Sequence, residues 1–308
     1  MRNAFSHALV EAARSDERVL LLTGDHGYAL FDEFRRVCPG QYINAGVAEQ
    51  NMVGVAAGLA KAGFRPVVYG LSSFIPIRVL EQIKLDICYE ELPVILIGDG
   101  AGVVYSSLGS SHQSTEDIAA LRAVPNLTIL SPADAPEMSA CMDLALNSDR
   151  PVYLRMGKAD RGTFHESIPA IALGELCCLH AGTGELGFIA TGSMVGTALE
   201  LAKEWEDSSV WSAPSIKPLH PQGIINLCQQ YQALIVLEEH SIYGGLGAAI
   251  AEISAEYAPI WIKRIGIQDR FSQYCGSYPY LLEEHHLDRD AVREQIVAFI
   301  DKIQTKIS

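Results

Sequence analysis

One carboxylate stands almost alone in the run Tyr42-Ile43-Asn44-Ala45-Gly46-Val47-Ala48-Glu49-Gln50-Asn51-Met52-Val53-Gly54-Val55-Ala56-Ala57-Gly58-Leu59-Ala60. Tyr42 to Asn44 read as a strand end, Gly46 as a turn, and Ala48 to Ala62 as a helix with small residues on every face. That pattern predicts a helix packed on all sides. An ionisable group in its first turn costs free energy unless something pairs with the charge, or the group keeps its proton and donates a hydrogen bond. Glu49 is therefore predicted to be rigid, poorly solvated and partnered, with a ligand among the candidate partners. The simpler alternative is a glutamate that complements the helix dipole, worth roughly 0.3–1 kcal/mol.

Other chemistry-bearing residues follow the same pattern of strand end and loop. Asp25 and His26, in Leu22-Thr23-Gly24-Asp25-His26-Gly27, directly follow a strand, where ligand-binding groups collect; an Asx-type turn is the alternative. Ser73 and Phe74 follow another strand, and an aromatic there either packs in the core or stacks on a flat heterocycle. His112 lies in the Gly/Ser-rich loop Leu108-Gly109-Ser110-Ser111-His112-Gln113 and is a proton-transfer candidate. Arg155 ends Val152-Tyr153-Leu154-Arg155 and could clamp a phosphate or carboxylate. Each of these, taken singly, has a structural explanation.

The elements that must position them alternate. Strand-like runs at Val19 to Leu22, Pro66 to Tyr69, Pro93 to Gly98, Leu127 to Ser131 and Val152 to Arg155 are separated by helical ones, among them Arg78 to Cys88 and Ala135 to Leu146. Such alternation predicts a mainly parallel sheet wrapped by helices, with ligands at the carboxyl ends of the strands. A polar stretch after Gly157 is read as a linker, and the alternation resumes from Phe188 to a closing helix at Asp290 to Ile303. The expected organisation is two α/β domains, 1–157 and 175–308, joined by a linker over 158–174.

The chain has 308 residues, 49% of them hydrophobic and 19% charged, with a net charge of −14. An acidic chain without basic clusters is unsuited to nucleic acid. No run of about 18 apolar residues and no signal-peptide core occurs, so neither membrane spanning nor export is expected, and the cytoplasm is the expected location. The seven cysteines are irregularly spaced and read as reduced core residues, not as a disulfide framework or a zinc site. Gly182-Thr183-Gly184-Glu185-Leu186-Gly187 fits a dinucleotide fingerprint in letters but precedes a strand, so it is read as a turn. Gly244-Gly245-Leu246-Gly247 follows a strand and opens a helix; its amides could face an anion, with close backbone packing as the alternative. The run Glu283-Glu284-His285-His286-Leu287-Asp288 is read as a solvated turn in preference to a metal site.

In sequence, strand-Asp25-His26, Gly46-Val47-Ala48-Glu49-Gln50-Asn51, strand-Ser73-Phe74, Gly109-Ser110-Ser111-His112 and strand-Arg155 resemble the pyrimidine domain of transketolase-type, thiamine-diphosphate-dependent enzymes. Phe188 to Ser193, Ile216-Lys217-Pro218-Leu219 and Glu238 to Gly247 are similar to landmarks of the transketolase C-terminal domain. The resemblance implies that Glu49 hydrogen-bonds N1′ of the cofactor's aminopyrimidine and favours the tautomer that removes the thiazolium C2 proton. It implies that Phe74 stacks on that ring and that Asp25 and Ser73 border the cofactor. By the same resemblance, His26, His112 and Arg155 contact the substrate, with His112 also in a catalytic role.

The family's diphosphate domain, with its Gly-Asp-Gly motif and a later Asn holding magnesium, has no counterpart. Gly98-Asp99-Gly100 lies inside the pyrimidine-domain pattern and Asn126 falls in a turn, so that match is read as coincidence. The resemblance thus implies one half of a split enzyme, with no metal ligands of its own. A separate N-terminal subunit would hold the diphosphate and magnesium, and the subunits would form an α2β2 assembly around a homodimer of this chain. Two-carbon ketol transfer between small sugar or sugar phosphate substrates is the implied reaction. The β subunit of a 2-oxo acid dehydrogenase or decarboxylase and a non-catalytic regulatory subunit are the alternatives.

Overall fold

The computed structural model describes residues 1–157, 162–205 and 208–307. The buried apolar runs of the first half form β1 (Val19–Thr23), β2 (Tyr42–Asn44), β3 (Arg65–Leu71), β4 (Ile95–Asp99), β5 (Thr128–Leu130) and β6 (Val152–Met156). Every residue of β1, β4 and β6 is buried, as strands covered by helices on both faces must be. They lie in the order β5-β6-β4-β3-β1-β2, all parallel. The register sets Thr23 level with Asn44 and Tyr69, and Asp99 level with Leu71 and Met156. The carboxyl ends therefore form one rim, from which the loops carrying Asp25, Glu49, Phe74 and His112 all depart.

The second half adds β7 (Cys177–His180), β8 (Leu186–Ala190), β9 (Ser209–Ser212), β10 (Ser215–Lys217), β11 (Ala233–Ser241) and β12 (Trp261–Ile267). Five of them make a second sheet in the order β12-β11-β8-β9-β7, parallel except for β7. The fold is thus α/β with two mainly parallel sheets. The sixth, β10, crosses over and pairs antiparallel with β5, Ser215 opposite Leu130, so that it becomes the edge of the first sheet. A segment read from sequence as a landmark of the second domain therefore caps an otherwise open edge of the first. Of the linker expected over 158–174, residues 158–161 lie outside the described residues; Gly174 at its end bridges to Leu219.

Other expectations are corrected. Helix Glu49–Lys61 is not packed on all sides. Met52, Val53, Ala56, Ala57 and Ala60 are buried against Leu20, Leu22 and Val68, whereas Gln50, Asn51, Val55 and Gly58 face outward. The run from Arg78 to Cys88 is not one α-helix but a 3-10 turn (Ile77–Val79), a single α-turn (Leu80–Gln82) and a π-helix (Ile83–Cys88). Four cysteines are core residues, but Cys178 and Cys275 are exposed; all seven are free. The turn after helix Tyr278–Glu284 is not simply solvated, because His285 is buried against Ser272 Oγ at 2.8 Å, and burial holds its pKa below the usual histidine value. None of the described helices is long and apolar enough to cross a membrane.

Candidate active site

The loop after β1 turns sharply because Asp25 (φ 61°) and Gly27 (φ 77°) both adopt left-handed backbone. Asn44, the last residue of β2, ties that loop to the next: its Oδ1 accepts from Asp25 N at 3.2 Å and from Gly46 N at 3.0 Å. Gly46 in turn leads into the helix that Glu49 begins. Asp25 itself is exposed, and its carboxylate raises the pKa of the exposed Tyr28 beside it.

Glu49 is 3% exposed. Its Oε2 accepts from Arg78 Nη1 at 3.1 Å, and the Arg78 guanidinium carbon lies 3.9 Å from the centre of the Phe74 ring. One guanidinium thus links the carboxylate after β2 to the aromatic after β3. Around the Phe74 ring stand His112, 5.4 Å between centroids, and His26, 6.1 Å, each inclined by 62°. Among the described residues, Glu49 Oε1, Ser73 Oγ and His26 Nδ1 are buried without a hydrogen-bond partner. Buried polar atoms are nearly always satisfied, so three such atoms on one rim that also carries the Phe74 ring fit a polar, planar ligand. His112 Nδ1 meets Ser111 Oγ at 2.9 Å, which leaves Nε2 as the ring nitrogen for another group.

Six of the residues expected from the sequence, Asp25, His26, Glu49, Ser73, Phe74 and His112, leave the same rim; Arg155 is placed differently. Its Nε donates to Asp117 Oδ2 at 2.8 Å, and its Nη2 to the carbonyls of Glu239, at 2.9 Å, and Ser114, at 3.2 Å. Burial lowers the pKa of this guanidinium, but Asp117, Tyr153 and Glu239 outweigh that and raise it. Its charge is matched inside the seam between the domains, so a clamp on a substrate anion has no support in this geometry. Asp99 is likewise internal: its Oδ2 accepts from Tyr69 and Tyr105 hydroxyls at 2.7 and 3.0 Å. Asn126 precedes β5 at the amino end of the sheet, opposite the end that carries Asp99, so the two cannot share a metal ion. The amides of Leu246 and Gly247 do face an anion, which is the chain's own Glu238 at 2.8 and 2.9 Å. Gly245 is needed there, since a Cβ would lie 2.0 Å from that carboxylate.

Residues 1–162 match the domain family described as transketolase, pyrimidine binding domain, and residues 179–292 the transketolase C-terminal domain. The chain belongs to the transketolase family. An apulose-4-phosphate transketolase subunit of Phocaeicola vulgatus is 33% identical over 98% of this chain and 97% of its own length. The 6-deoxy-6-sulfo-D-fructose transketolase subunit SqwH of Clostridium sp. (strain MSTE9) is 32% identical over 93% and 90%. Among solved structures, a split-gene transketolase described as an inactive β4 tetramer superposes with a TM-score of 0.87 at 31% identity, covering 97% of both chains. Within this transketolase-family chain, all of the rim residues fall inside the pyrimidine-binding match. Sequence reasoning missed Arg78 and Asn44. A signal for Arg78 existed: a cation at the start of a helical run opposes the helix dipole and calls for another partner.

Proposed function

We propose that this chain is the C-terminal subunit of a two-component transketolase. On this reading it binds the aminopyrimidine half of thiamine diphosphate, and a separate chain of the same enzyme holds the diphosphate and magnesium. The observation that carries the reading is Glu49, a buried carboxylate with an unpartnered Oε1, facing the same guanidinium as Phe74. The donor set fits the cofactor: a carboxylate for a ring nitrogen, an aromatic face for stacking, and the Ser73 hydroxyl at the border. When bound, thiamine diphosphate supplies the electron sink for breaking and making a carbon–carbon bond.

The residues of this chain then divide the work. Glu49 holds a proton shared with the ring nitrogen, in a site dry enough to make that hydrogen bond strong. His26 and His112, both beside Phe74, bind substrate hydroxyls, and His112 moves protons through Nε2. Relatives that match nearly end to end are named as transketolase subunits, and those names favour sugar substrates bearing a phosphate or sulfonate over 2-oxo acids. The outward face of helix Glu49–Lys61, with Val55 and the neighbouring Val47 (73% exposed), supports a homodimer contact inside an α2β2 enzyme. A chain that is inactive without its partner fits the description of the solved relative.

Calorimetric titration of thiamine diphosphate and magnesium into the chain, and into its complex with the diphosphate-binding subunit, tests the reading. Tight binding in the complex alone is expected; absence of binding in both overturns it. Replacing His112 with alanine is expected to lower kcat/KM for sugar transfer by roughly 10²-fold, with cofactor affinity unchanged. Steady-state kinetics beside the same titration would separate that outcome from a loss of cofactor binding.

A further inference from the structure

The guanidinium of Arg78 satisfies two groups at once that the functional reading reserves for the aminopyrimidine. It donates to Glu49 Oε2 at 3.1 Å and covers the Phe74 ring at 3.9 Å. A guanidinium is planar, nitrogen-rich and cationic. It offers in-plane N–H donors to a carboxylate and a face to an aromatic ring, as a protonated aminopyrimidine does. We propose that Arg78 is a built-in stand-in for the heterocycle, holding the Glu49–Phe74 pair until the cofactor displaces it.

Three features support displacement over a permanent contact. The side chain of Arg78 is 46% exposed whereas that of Glu49 is 4% exposed, so the arginine can leave toward solvent and the carboxylate cannot. The backbone of Arg78 is held separately, with its N donating to Phe74 O at 3.2 Å and its carbonyl 3.5 Å from Gln50 Nε2, so that the side chain can swing without unfolding the turn. The arginine also occupies only one carboxylate oxygen and leaves Oε1 unpartnered. Its physical role is to match the charge of Glu49, since a buried carboxylate without a counter-charge is costly. The same contact makes cofactor binding a competition, which reduces apparent affinity to the fraction of chains in which Arg78 has left the pair.

This inference rests on the functional reading, so its test has two arms. In the complex with the diphosphate-binding subunit, thiamine diphosphate with magnesium is titrated calorimetrically into wild type, Arg78→Ala and Arg78→Lys. Removal of a half-exposed ion pair and a cation–π contact is expected to tighten binding about three- to tenfold in the alanine variant, with lysine intermediate. Equal or weaker binding by Arg78→Ala overturns the proposal and makes Arg78 a ligand or a bystander. If the wild-type complex binds no cofactor, the functional reading fails instead. The second arm then decides, with 4-amino-2,5-dimethylpyrimidine titrated into the full chain. Tighter binding by Arg78→Ala than by wild type supports the stand-in; equal, weaker or no binding by the variant overturns it. Urea unfolding of each variant checks that the fold is intact.

Discussion

Replacing Glu49 with glutamine is expected to lower sugar-transfer turnover by roughly 10²–10⁴-fold while leaving fold and assembly intact. The change keeps the side chain's size and one oxygen, so the helix it begins has no reason to move. What disappears is the charge. A carboxylate sharing a proton with a ring nitrogen makes a charge-assisted hydrogen bond, about twice as strong as the neutral one an amide can offer. Stability should change little, because the Arg78 partner is half-exposed and water takes over its solvation; about 1 kcal/mol is an upper bound for such a pair. Glu49→Asp retains charge but withdraws it by one methylene, and a misplacement of about 1 Å is expected to cost roughly 10²-fold. Turnover with a sugar donor and deuterium exchange of the cofactor's thiazolium C2 proton, both in the assembled enzyme, are the measurements. Wild-type exchange in Glu49→Gln would remove Glu49 from the chemistry.

The legibility of Glu49 in the sequence has a simple cause. A lone carboxylate in an uncharged run declares its burial, and a turn followed by a helix declares its place on the rim. The parallel sheet was legible for a similar reason, because runs such as Val19 to Leu22 are apolar throughout. Partners were not legible. Arg78 meets Glu49 across 29 residues of chain and Arg155 meets Asp117 across 38, and nothing local in either segment encodes the pairing. Strand-end position suggested that Arg155 would point outward, but the direction of a side chain at a strand end depends on what the second domain places there. The edge strand Ser215–Lys217 was hidden likewise, since three residues carry no period and their pairing with β5 is set by the docking of the domains. Helix Arg2–Ser15 buries Phe5, Leu9, Val10 and Ala13 on one face. Its helical spacing was present in the sequence, but the segment was read only for the absence of an export signal.

Asp117→Ala is expected to destabilise the chain by about 3–5 kcal/mol, the cost of stranding a buried cation without its counter-ion. Asp117 is fully buried and its Oδ2 accepts from both Arg155 Nε and Tyr153 OH at 2.8 Å. Burial and this carboxylate together push the Tyr153 phenol well above its usual pKa, so it remains a donor. The same arginine reaches the carbonyls of Ser114, in the loop that carries His112, and of Glu239, at the end of β11. Glu239 closes the circuit: its carboxylate accepts from Val103 N at 2.8 Å, from Tyr278 OH at 2.6 Å and from Ser193 Oγ. The ion pair therefore holds Arg155 where it ties the end of β11 to the loop that carries His112. Replacing both partners, Asp117→Leu with Arg155→Met, removes the stranded charge and is expected to recover part of the lost stability, because the Tyr153 hydroxyl and the Ser114 and Glu239 carbonyls lose a partner. Urea denaturation of the single and double variants, paired with turnover in the assembled enzyme, separates the two roles open to Arg155. Recovery of stability and activity together makes it a structural tie, recovery of stability alone returns it to the substrate, and a single variant within about 1 kcal/mol of wild type removes the seam as a source of stability.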